Sequence, residues 1–174
     1  MKARPTFAAR AKAIRLLILD VDGVLTDGRL VYGPAGEELK VFHVHDGLAI
    51  VGAQRSGLIV AVISGRASPA VSRRMADLGV LEVHQGEDDK EAVLAALLRR
   101  QRVAPREVAY MADDLPDLPV LRRVGLALAP ANAAAEVKRV AHWVGRRAGG
   151  QGAVREAVET ILKARGSWPP PESA

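Results

Sequence analysis

The sequence predicts an α/β fold, a Rossmann-like parallel sheet flanked by helices, on three observations. Short apolar runs alternate with longer helical patterns, as in a parallel sheet with crossover helices. Two of the runs, Leu16–Leu19 and Leu58–Ile63, are unbroken, which is typical of strands buried on both faces. Polar clusters follow several of the runs, at the strand ends where such sheets bind ligands.

The predicted strands and helices alternate along most of the chain. The predicted strands are Ile14–Leu19, Leu58–Ile63, Leu81–His84, Val108–Met111, Gly125–Leu128 and a weaker one at Ala141–Val144. The predicted helices lie near Leu48–Arg55, Pro69–Leu78, Lys90–Arg102, Leu118–Val124, Ala133–Arg139 and Ala153–Arg165.

One insertion interrupts this alternation. Leu30–Tyr32 and Leu39–Val44 flank the turn residues Gly33-Pro34-Ala35-Gly36 and predict a β-hairpin after the first strand. The other intervals between the predicted strands leave no room for a cap domain. We therefore expect a single capless domain over residues 1–174, with a core of about residues 14–168 and flexible ends that include the proline-rich tail from Pro169.

The composition excludes several classes of protein. The chain has 174 residues, 49% of them apolar and none of them cysteine, which suits a globular domain without disulfides or thiolate metal sites. No run approaches the apolar length of a membrane span, and the basic segment Met1–Arg15 lacks the apolar stretch of a secretory signal. We therefore expect a cytoplasmic protein without membrane contact.

The net charge of +5 does not predict nucleic-acid binding. The arginine pairs lie on separate predicted helices with acidic residues nearby, and aromatic residues make up only 3% of the chain. A modest positive field instead favours a small anionic substrate.

Two carboxylates follow the first predicted strand. Asp20 and Asp22 point to the same side of an extended backbone, because the side-chain period of a strand is two. Carboxylates held this close repel each other unless a cation lies between them, and Mg²⁺ prefers such oxygen ligands.

Complementary groups follow the later strands. Ser64-Gly65-Arg66 offers a hydroxyl and an accessible backbone to an anion, Lys90 opens a helix where its charge can hold phosphate, and Asp113-Asp114-Leu115-Pro116-Asp117 can complete a metal site. Each motif alone has a structural alternative: a turn, an ordinary loop, a solvated lysine or a helix N-cap. Their occurrence in this order, each after a predicted strand, predicts one site.

These motifs resemble those of the haloacid dehalogenase superfamily. The stretch from Asp20 to Gly28 is similar to the first motif, and Ser64, Lys90 and Asp113–Asp117 match the second, third and fourth. Over about residues 14–168 the chain resembles the capless 3-deoxy-D-manno-octulosonate 8-phosphate (Kdo 8-phosphate) phosphatases. The supporting stretches are Gly36-Glu37-Glu38-Leu39-Lys40, Asp46-Gly47, Gln85-Gly86 and Gly149–Glu156.

The resemblance implies a phosphomonoester hydrolase that uses Mg²⁺ and acts on a sugar acid phosphate, foremost Kdo 8-phosphate, through an aspartyl-phosphate intermediate in lipopolysaccharide biosynthesis. Asp20 would be the nucleophile and Asp22 the acid and base. Mg²⁺ would be held by the carboxylates of Asp20 and Asp113 and by the backbone carbonyl of Asp22.

The resemblance also implies roles for residues around this centre. Ser64, Gly65 and Lys90 would bind the phosphate, and Asp114 and Asp117 would orient the residues that contact it. The family resemblance further implies a homotetramer in which the segment Gly149–Glu156 reaches a neighbouring active site. The alternative is that this segment packs on its own subunit.

The sequence departs from the family pattern where the sugar acid would bind. Two expected arginines are replaced in the stretch His43-Val44-His45-Asp46-Gly47 and at Val51. His43 and His45, predicted to lie on one face of a strand, could supply part of the lost contact or could face solvent. The predicted substrate-binding residues are His43, His45, Asp46, Gly47, Arg66 and Arg74. Ala112 stands where glycine usually begins the fourth motif, a change of little cost unless a positive φ is required there.

Three alternatives remain open at this point. The substrate could be a nonulosonate 9-phosphate, or the enzyme could accept a broad range of sugar phosphates. A receiver-like signalling domain also has an acidic pocket, but its acidic pair and its phosphoacceptor lie on different strands. The third is a catalytically dead binding subunit, against which the intact Asp20, Asp22, Lys90 and Asp113 argue.

Overall fold

The computed structural model describes residues 5–170, and a parallel sheet forms its centre. The strands are β1 (Leu16–Leu19), β2 (Val31–Tyr32), β3 (Glu38–Leu39), β4 (Ile59–Ser64), β5 (Glu82–Gln85), β6 (Val108–Met111), β7 (Leu126–Ala129) and β8 (Trp143–Val144). The helices are α1 (Phe7–Ala13), α2 (Val44–Arg55), α3 (Pro69–Asp77), α4 (Lys90–Gln101), α5 (Leu118–Leu121), α6 (Ala135–Val140) and α7 (Ala153–Arg165).

The sheet has six strands in the order β5-β4-β1-β6-β7-β8, and every neighbouring pair is parallel. From β1 the chain adds β4 and β5 on one side, and it then crosses back to add β6, β7 and β8 on the other side of β1. The carboxyl ends of β4, β1 and β6 therefore lie side by side at the point where the strand order reverses, which is where open α/β sheets bind ligands. The predicted Rossmann-like α/β fold is confirmed.

Two apolar cores lie on opposite faces of the sheet. One joins residues of α1, α2, α3 and α7, including Ile50 and Met75, to the inner faces of the strands. The other joins α4, α5 and α6 through residues such as Leu94, Leu121 and Val137. All four residues of β1 are fully buried, because the strand is covered by helices on both sides.

The insertion after β1 is a small hairpin, with Val31 opposite Leu39 and Tyr32 opposite Glu38. It is shorter than predicted, since α2 already begins at Val44. Only the hairpin and α2 separate β1 from β4, and only α3 separates β4 from β5. The insertions therefore contain no cap domain, as predicted.

Helix α1 was not predicted. Its seven residues are too few for a stable isolated helix, so contacts with the rest of the protein decide its formation. Thr6 Oγ1 accepts a hydrogen bond from the Ala9 N–H (3.3 Å), and Arg10 donates to the carbonyl of Gly125 (2.5 Å). Ala11 is fully buried in the core that contains α7.

The expected flexible ends concern in part residues 1–4 and 171–174, which lie outside the described residues. Trp168 packs against the core, and the guanidinium of Arg155 lies 4.7 Å from the centre of its ring. Pro170 lies against Gly52 of α2. Between residues 5 and 170, none of the helices combines the length and the apolar character required to cross a bilayer.

Candidate active site

The predicted motifs meet in one pocket because their strands are neighbours in the sheet. Leu19 of β1 lies opposite Val62 of β4 and Met111 of β6, and the Asp20 N–H donates to the Met111 carbonyl (3.0 Å). The pocket at these strand ends has a volume of about 480 Å³. It is lined by Asp20, Asp22, Gly23, Gly28, Ser64, Gly65, Arg66, Glu87, Asp88, Lys90, Asp113, Asp114, Pro116 and Asp117.

A buried chain of polar contacts runs beneath this pocket. The Lys90 ammonium donates to Asp20 Oδ1 (3.0 Å) and to Asp117 Oδ1 (2.7 Å). The hydroxyl of the fully buried Tyr110 donates to the same oxygen of Asp117. Buried charges are tolerated when they are paired and hydrogen-bonded. Asp117 and Tyr110 therefore hold Lys90 in contact with Asp20.

The electrostatics of the pocket follow from this burial. The pKa of Asp20 is raised to about 7, first by burial and then by the Asp117 charge, although Lys90 opposes the shift. The pKa of Asp113 is raised to about 6 by burial, with the charges of Asp117 and Asp114 adding to the effect. Burial lowers the pKa of Lys90, but its contacts with Asp20 and Asp117 outweigh that effect and keep the pKa above its usual value.

The donor set suits a hard divalent cation such as Mg²⁺. Seven carboxylates but only two basic side chains line the pocket, so an added positive charge would be stabilised there. A Cβ on Gly23 would lie 2.0 Å from Asp113 Oδ2, which shows how closely Asp113 packs against the loop that follows Asp22. Gly23 has φ +81°, a conformation that glycine adopts without strain.

The predicted metal ligands are few. Within residues 5–170, no three or more His, Cys, Asp or Glu side chains form a group that could hold a metal ion. The predicted set does not require one, because it combines the carboxylates of Asp20 and Asp113 with the backbone carbonyl of Asp22. Mg²⁺ usually keeps several waters and binds through one or two carboxylates plus substrate phosphate, so the residues present fit this ion.

The groups predicted to bind phosphate lie at the end of β4. Ser64 is buried, and its Oγ accepts a hydrogen bond from the Arg66 N–H (3.2 Å). A Cβ on Gly65 would lie 3.9 Å from the Glu87 carbonyl oxygen, an ordinary van der Waals distance, which leaves the backbone open to an anion. Together with Lys90 these groups could contact different oxygens of one phosphoryl group.

Two further positions of the fourth motif have structural roles. Asp114 Oδ1 accepts a hydrogen bond from the Leu115 N–H (2.8 Å) and caps the short 3₁₀ helix Leu115–Asp117. Arg102 is the only non-glycine residue with positive φ between residues 5 and 170, so Ala112 adopts an ordinary backbone conformation. The condition under which alanine would be costly at this position, a positive φ, is therefore not met.

The second carboxylate after β1 is held by the hairpin. Lys40 Nζ lies 2.5 Å from Asp22 Oδ1 and 2.8 Å from Glu38 Oε1. Arg66 Nε lies 3.6 Å from Asp22 Oδ2, and the Arg66 guanidinium also donates to Glu38. The structure thus places Arg66 in the pocket beside Asp22.

The histidines predicted to contact substrate line a second groove and not the Asp20 pocket. His43 is the N-cap of α2, its Nδ1 accepts from the His45 N–H (3.2 Å), and the two rings pack edge to face with centres 5.0 Å apart. The prediction that they share one face of a strand is wrong, because the chain becomes helical at Val44. The groove has a volume of about 1050 Å³ and is lined by His43, His45, Leu48, Arg146, Arg147, Gly152, Arg155, Glu156, Glu159, Thr160 and Lys163.

Three other predicted substrate-binding residues pack around α2, with Asp46 and Gly47 buried and Arg74 half-buried. Asp46 is buried, and its Oδ1 accepts from the Arg155 N–H (2.7 Å), so it caps the start of α7 where Gly152 has no side chain to do so. Burial raises the pKa of Asp46, against the effect of that hydrogen bond. Arg74 lies against Gly47, where a Cβ would come within 2.1 Å of Arg74 Nη2. Asp46, Gly47 and Arg74 surround a small internal gap between α2 and α3 and do not line the Asp20 pocket.

Glu38, Lys40 and Tyr110 were not predicted to have a role in the site. Glu38 and Lys40 are two positions apart and so point to the same side of an extended backbone, but nothing in the sequence indicates that this side meets Asp22. Tyr110 is the one polar side chain in β6, and a buried tyrosine hydroxyl usually has a partner. That signal points to a hydrogen bond without identifying Asp117.

Comparison with known proteins gives concordant matches. A family described as haloacid dehalogenase-like hydrolase matches residues 74–157. The 3-deoxy-D-manno-octulosonate 8-phosphate phosphatase KdsC of Escherichia coli K12 is 48% identical over 158 residues, which cover 91% of this chain and 84% of that protein.

Solved structures agree with this match. The 3-deoxy-D-manno-octulosonate 8-phosphate phosphatase of Moraxella catarrhalis, crystallised with magnesium, phosphate and Kdo, superimposes with a TM-score of 0.90 at 40% identity and 92% coverage of both chains. The cobalt-bound enzyme of Haemophilus influenzae gives a TM-score of 0.88 at 42% identity, covering 91% of this chain and 92% of that one.

Proposed function

The chain belongs to the 3-deoxy-D-manno-octulosonate 8-phosphate phosphatases, among the haloacid dehalogenase-like hydrolases, and from this premise we propose that it is a Mg²⁺-dependent phosphatase of Kdo 8-phosphate. The observation that carries the proposal is the buried Asp20 at the end of β1, in contact with Lys90 and two residues from Asp22. A carboxylate placed beside a cation, in a pocket rich in oxygen ligands for a metal ion, is suited to covalent phosphoryl transfer.

In the first half of the reaction, an Asp20 oxygen forms a bond to phosphorus as the bond from phosphorus to the sugar oxygen breaks. Asp22 gives its proton to that leaving oxygen. Lys90 and the Ser64 hydroxyl bind the phosphoryl oxygens, and Lys90 also favours the ionised form of Asp20 that the attack requires.

In the second half, Asp22 takes a proton from a water molecule, which attacks phosphorus. The bond between Asp20 and phosphorus breaks, inorganic phosphate leaves and the Asp20 carboxylate is restored. Asp20, Asp113 and the Asp22 carbonyl would hold Mg²⁺, which when bound neutralises charge between the nucleophile and the phosphate.

A panel of phosphate esters tests this assignment. We expect phosphate release with Mg²⁺ to be fastest from Kdo 8-phosphate, slower from a nonulosonate 9-phosphate and slowest from common hexose phosphates. Preference for the nonulosonate would keep the mechanism and change the substrate, with His43 and His45 as the first residues to examine. Absence of turnover of every ester would refute the proposal.

We further propose a cytoplasmic homotetramer assembled through the hairpin. The hairpin and the residues that follow it expose apolar side chains, with Tyr32 62% and Val41 76% exposed, and large exposed apolar groups mark association surfaces. The segment Gly149–Glu156 begins on its own subunit, since the Gly150 N–H donates to the Val24 carbonyl (3.0 Å). The later residues also contact their own subunit, since the Arg155 N–H donates to Asp46 Oδ1 (2.7 Å) and Val154 is fully buried. The predicted reach of this segment to a neighbouring site would therefore concern its exposed residue, Gln151.

Whether His43 and His45 contact substrate depends on the assembly of the tetramer. Because His43 and His45 lie outside the Asp20 pocket of their own protomer, contact would have to occur across a subunit interface. Hybrid tetramers of Asp20→Asn with a His43→Ala/His45→Ala variant test this. Recovery of wild-type KM in the hybrids would support contact across subunits, and a monomer by sedimentation would exclude it.

A further inference from the structure

Lys40 is a cation buried between two carboxylates, and the proposed reaction leaves it without a role. Its side chain is 2% exposed, whereas those of Asp22 and Glu38 are 23% and 16% exposed. An ammonium removed from water in this way requires close anionic partners. It has two, at 2.5 Å in Asp22 and at 2.8 Å in Glu38, the second being an ion pair and not an aligned hydrogen bond.

The two carboxylates and their two cations form a closed alternating set. Lys40 joins Asp22 to Glu38 from one side, and Arg66 joins the same two carboxylates from the other. The two cations differ in exposure, with Arg66 at 47% and Lys40 at 2%. Arg66 is therefore accessible to an anionic substrate, while Lys40 keeps its contact with Asp22.

The remaining contacts of Asp22 do not fix its orientation. Thr26 Oγ1 lies 3.5 Å from Asp22 Oδ1, at the limit of a hydrogen bond, and the Arg66 contact is 3.6 Å. The charge-assisted contact with Lys40 is a full ångström shorter than either, and such contacts are about twice as strong as neutral hydrogen bonds. Of the polar contacts to this carboxylate among the described residues, the one with Lys40 controls its direction.

We propose that Lys40, held in place by Glu38, is a positioning residue that orients Asp22 for proton transfer to and from the reacting oxygens. The inference rests on the proposed phosphatase reaction, in which Asp22 supplies and removes that proton. Lys40 acts through Asp22 and is not itself assigned a contact with substrate, since it does not line the pocket. It also makes the hairpin part of the active-site support.

The leaving group provides the first test. A sugar alkoxide needs the proton from Asp22, whereas the nitrophenolate of 4-nitrophenyl phosphate leaves without one. We expect Lys40→Met to lower kcat/KM for Kdo 8-phosphate about tenfold or more, part of the ~10²–10⁴ that general acid catalysis contributes. For 4-nitrophenyl phosphate, kcat/KM should change less than about threefold, and KM for Kdo 8-phosphate should stay near wild type.

A double-mutant cycle separates this role from a merely structural one. If Lys40 acts through Asp22, Lys40→Met has no further effect on kcat/KM in an Asp22→Asn background. If the two losses multiply, or if Lys40→Met slows both esters equally, the proposal is overturned. Lys12→Met is the matched control, because α1 precedes β1 and lies at the opposite end of the sheet from Asp20.

Chemical rescue tests the role of the ammonium within one variant, by comparing its activity before and after modification. The chain contains no cysteine, so Lys40→Cys can be alkylated at a single thiol with 2-bromoethylamine in denaturant and refolded. The thiolate displaces bromide and the resulting thioether restores an ammonium at the lysine length. We expect the sugar-phosphate activity lost in Lys40→Cys to return on alkylation with the amine but not with iodoacetamide.

The outcomes distinguish the two proposals. If wild type fails to hydrolyse any sugar phosphate, the phosphatase assignment fails and takes this inference with it. If wild type and Asp22→Asn behave as proposed but Lys40→Met matches wild type on both esters, only the positioning role is wrong.

Discussion

The Asp20 pocket and the His43 groove both gather charged side chains, yet they differ in burial. In the pocket, Asp20, Lys90 and Asp117 are 7%, 8% and 1% exposed. In the groove, the side chains of Arg146 and Lys163 are 94% and 59% exposed. Buried charges interact strongly and shift each other's pKa, whereas exposed ones are screened by water.

The ion pairs of the two regions also differ in how far apart their partners lie in the sequence. The groove pairs Glu159 with Arg155 and Lys163, each four residues away on α7, so one helix is sufficient to form them. The pocket pairs Lys90 with Asp20, 70 residues away, and with Asp117, 27 residues away. Charged side chains are suited to catalysis where the tertiary fold buries them away from water.

The largest expected difference between the two regions is in activity. Asp20→Asn removes the nucleophile, and we expect kcat for Kdo 8-phosphate to fall at least about 10⁴-fold, as when other covalent nucleophiles are removed. Glu159→Gln, the matched change of carboxylate to amide in the groove, should leave kcat within about threefold. Comparable losses in both variants would mean that the pocket is not the catalytic centre.

Lysine removal extends the comparison to stability. Lys90→Met leaves Asp20 and Asp117 buried without their cation, which we expect to cost about 3–5 kcal/mol in urea unfolding without metal. Lys163→Met breaks an exposed ion pair with Glu159, and its cost should be below about 0.5 kcal/mol. Equal losses of unfolding free energy in the two variants would show that burial does not account for the difference between the two regions.

The raised pKa values predict an unusual pH dependence for the metal-free protein. Because burial raises the pKa of Asp20 to about 7 and that of Asp113 to about 6, the fold favours their protonated forms. Their contribution to stability is complete below about pH 4, the value for the unfolded chain, and is lost as the pH rises through about 7.

Urea unfolding with EDTA at pH 5.5 and at pH 8 measures this loss. We expect a lower urea midpoint at pH 8 and a smaller difference between the two pH values in Asp20→Asn. Replacing EDTA with Mg²⁺ at 100 times its Kd should restore about 2.7 kcal/mol of stability at pH 8. Asp77→Asn, on the exposed surface of α3, should keep the wild-type pH dependence. A midpoint that rises between pH 5.5 and 8 without metal would contradict the assigned burial of Asp20.

The smallest effect is expected in the groove itself. His43→Ala/His45→Ala should raise KM for Kdo 8-phosphate a few-fold without lowering kcat, if the tetramer brings the groove to a neighbouring pocket. Circular dichroism would check that loss of the His43 cap leaves α2 intact. A fall in kcat at unchanged KM would assign the histidines to the support of α2 and not to the substrate.

The sheet and the order of the motifs could be predicted from the residues alone. The strand β6 and the helix α7 were predicted at their observed bounds, and the apolar strands β1 and β4 within two residues, because burial imposes a local pattern on the residues of each element. Once β1 lies between β4 and β6, the polar residues that follow them must meet. This is why Asp20, Ser64 and Asp113 could be grouped before any distance was known.

The contacts between polar groups, in contrast, could not be predicted without the folded structure. Lys40 reaches Asp22 across 18 residues, Tyr110 reaches Asp117 across seven, and α1 exists through contacts with distant segments such as Gly125. The start of α2 at Val44, which makes His43 the N-cap and places His45 in the helix, depends in the same way on packing against α7. Local periodicity records which residues are buried, but the partner of a buried charge is set by distances that exist only in the folded chain.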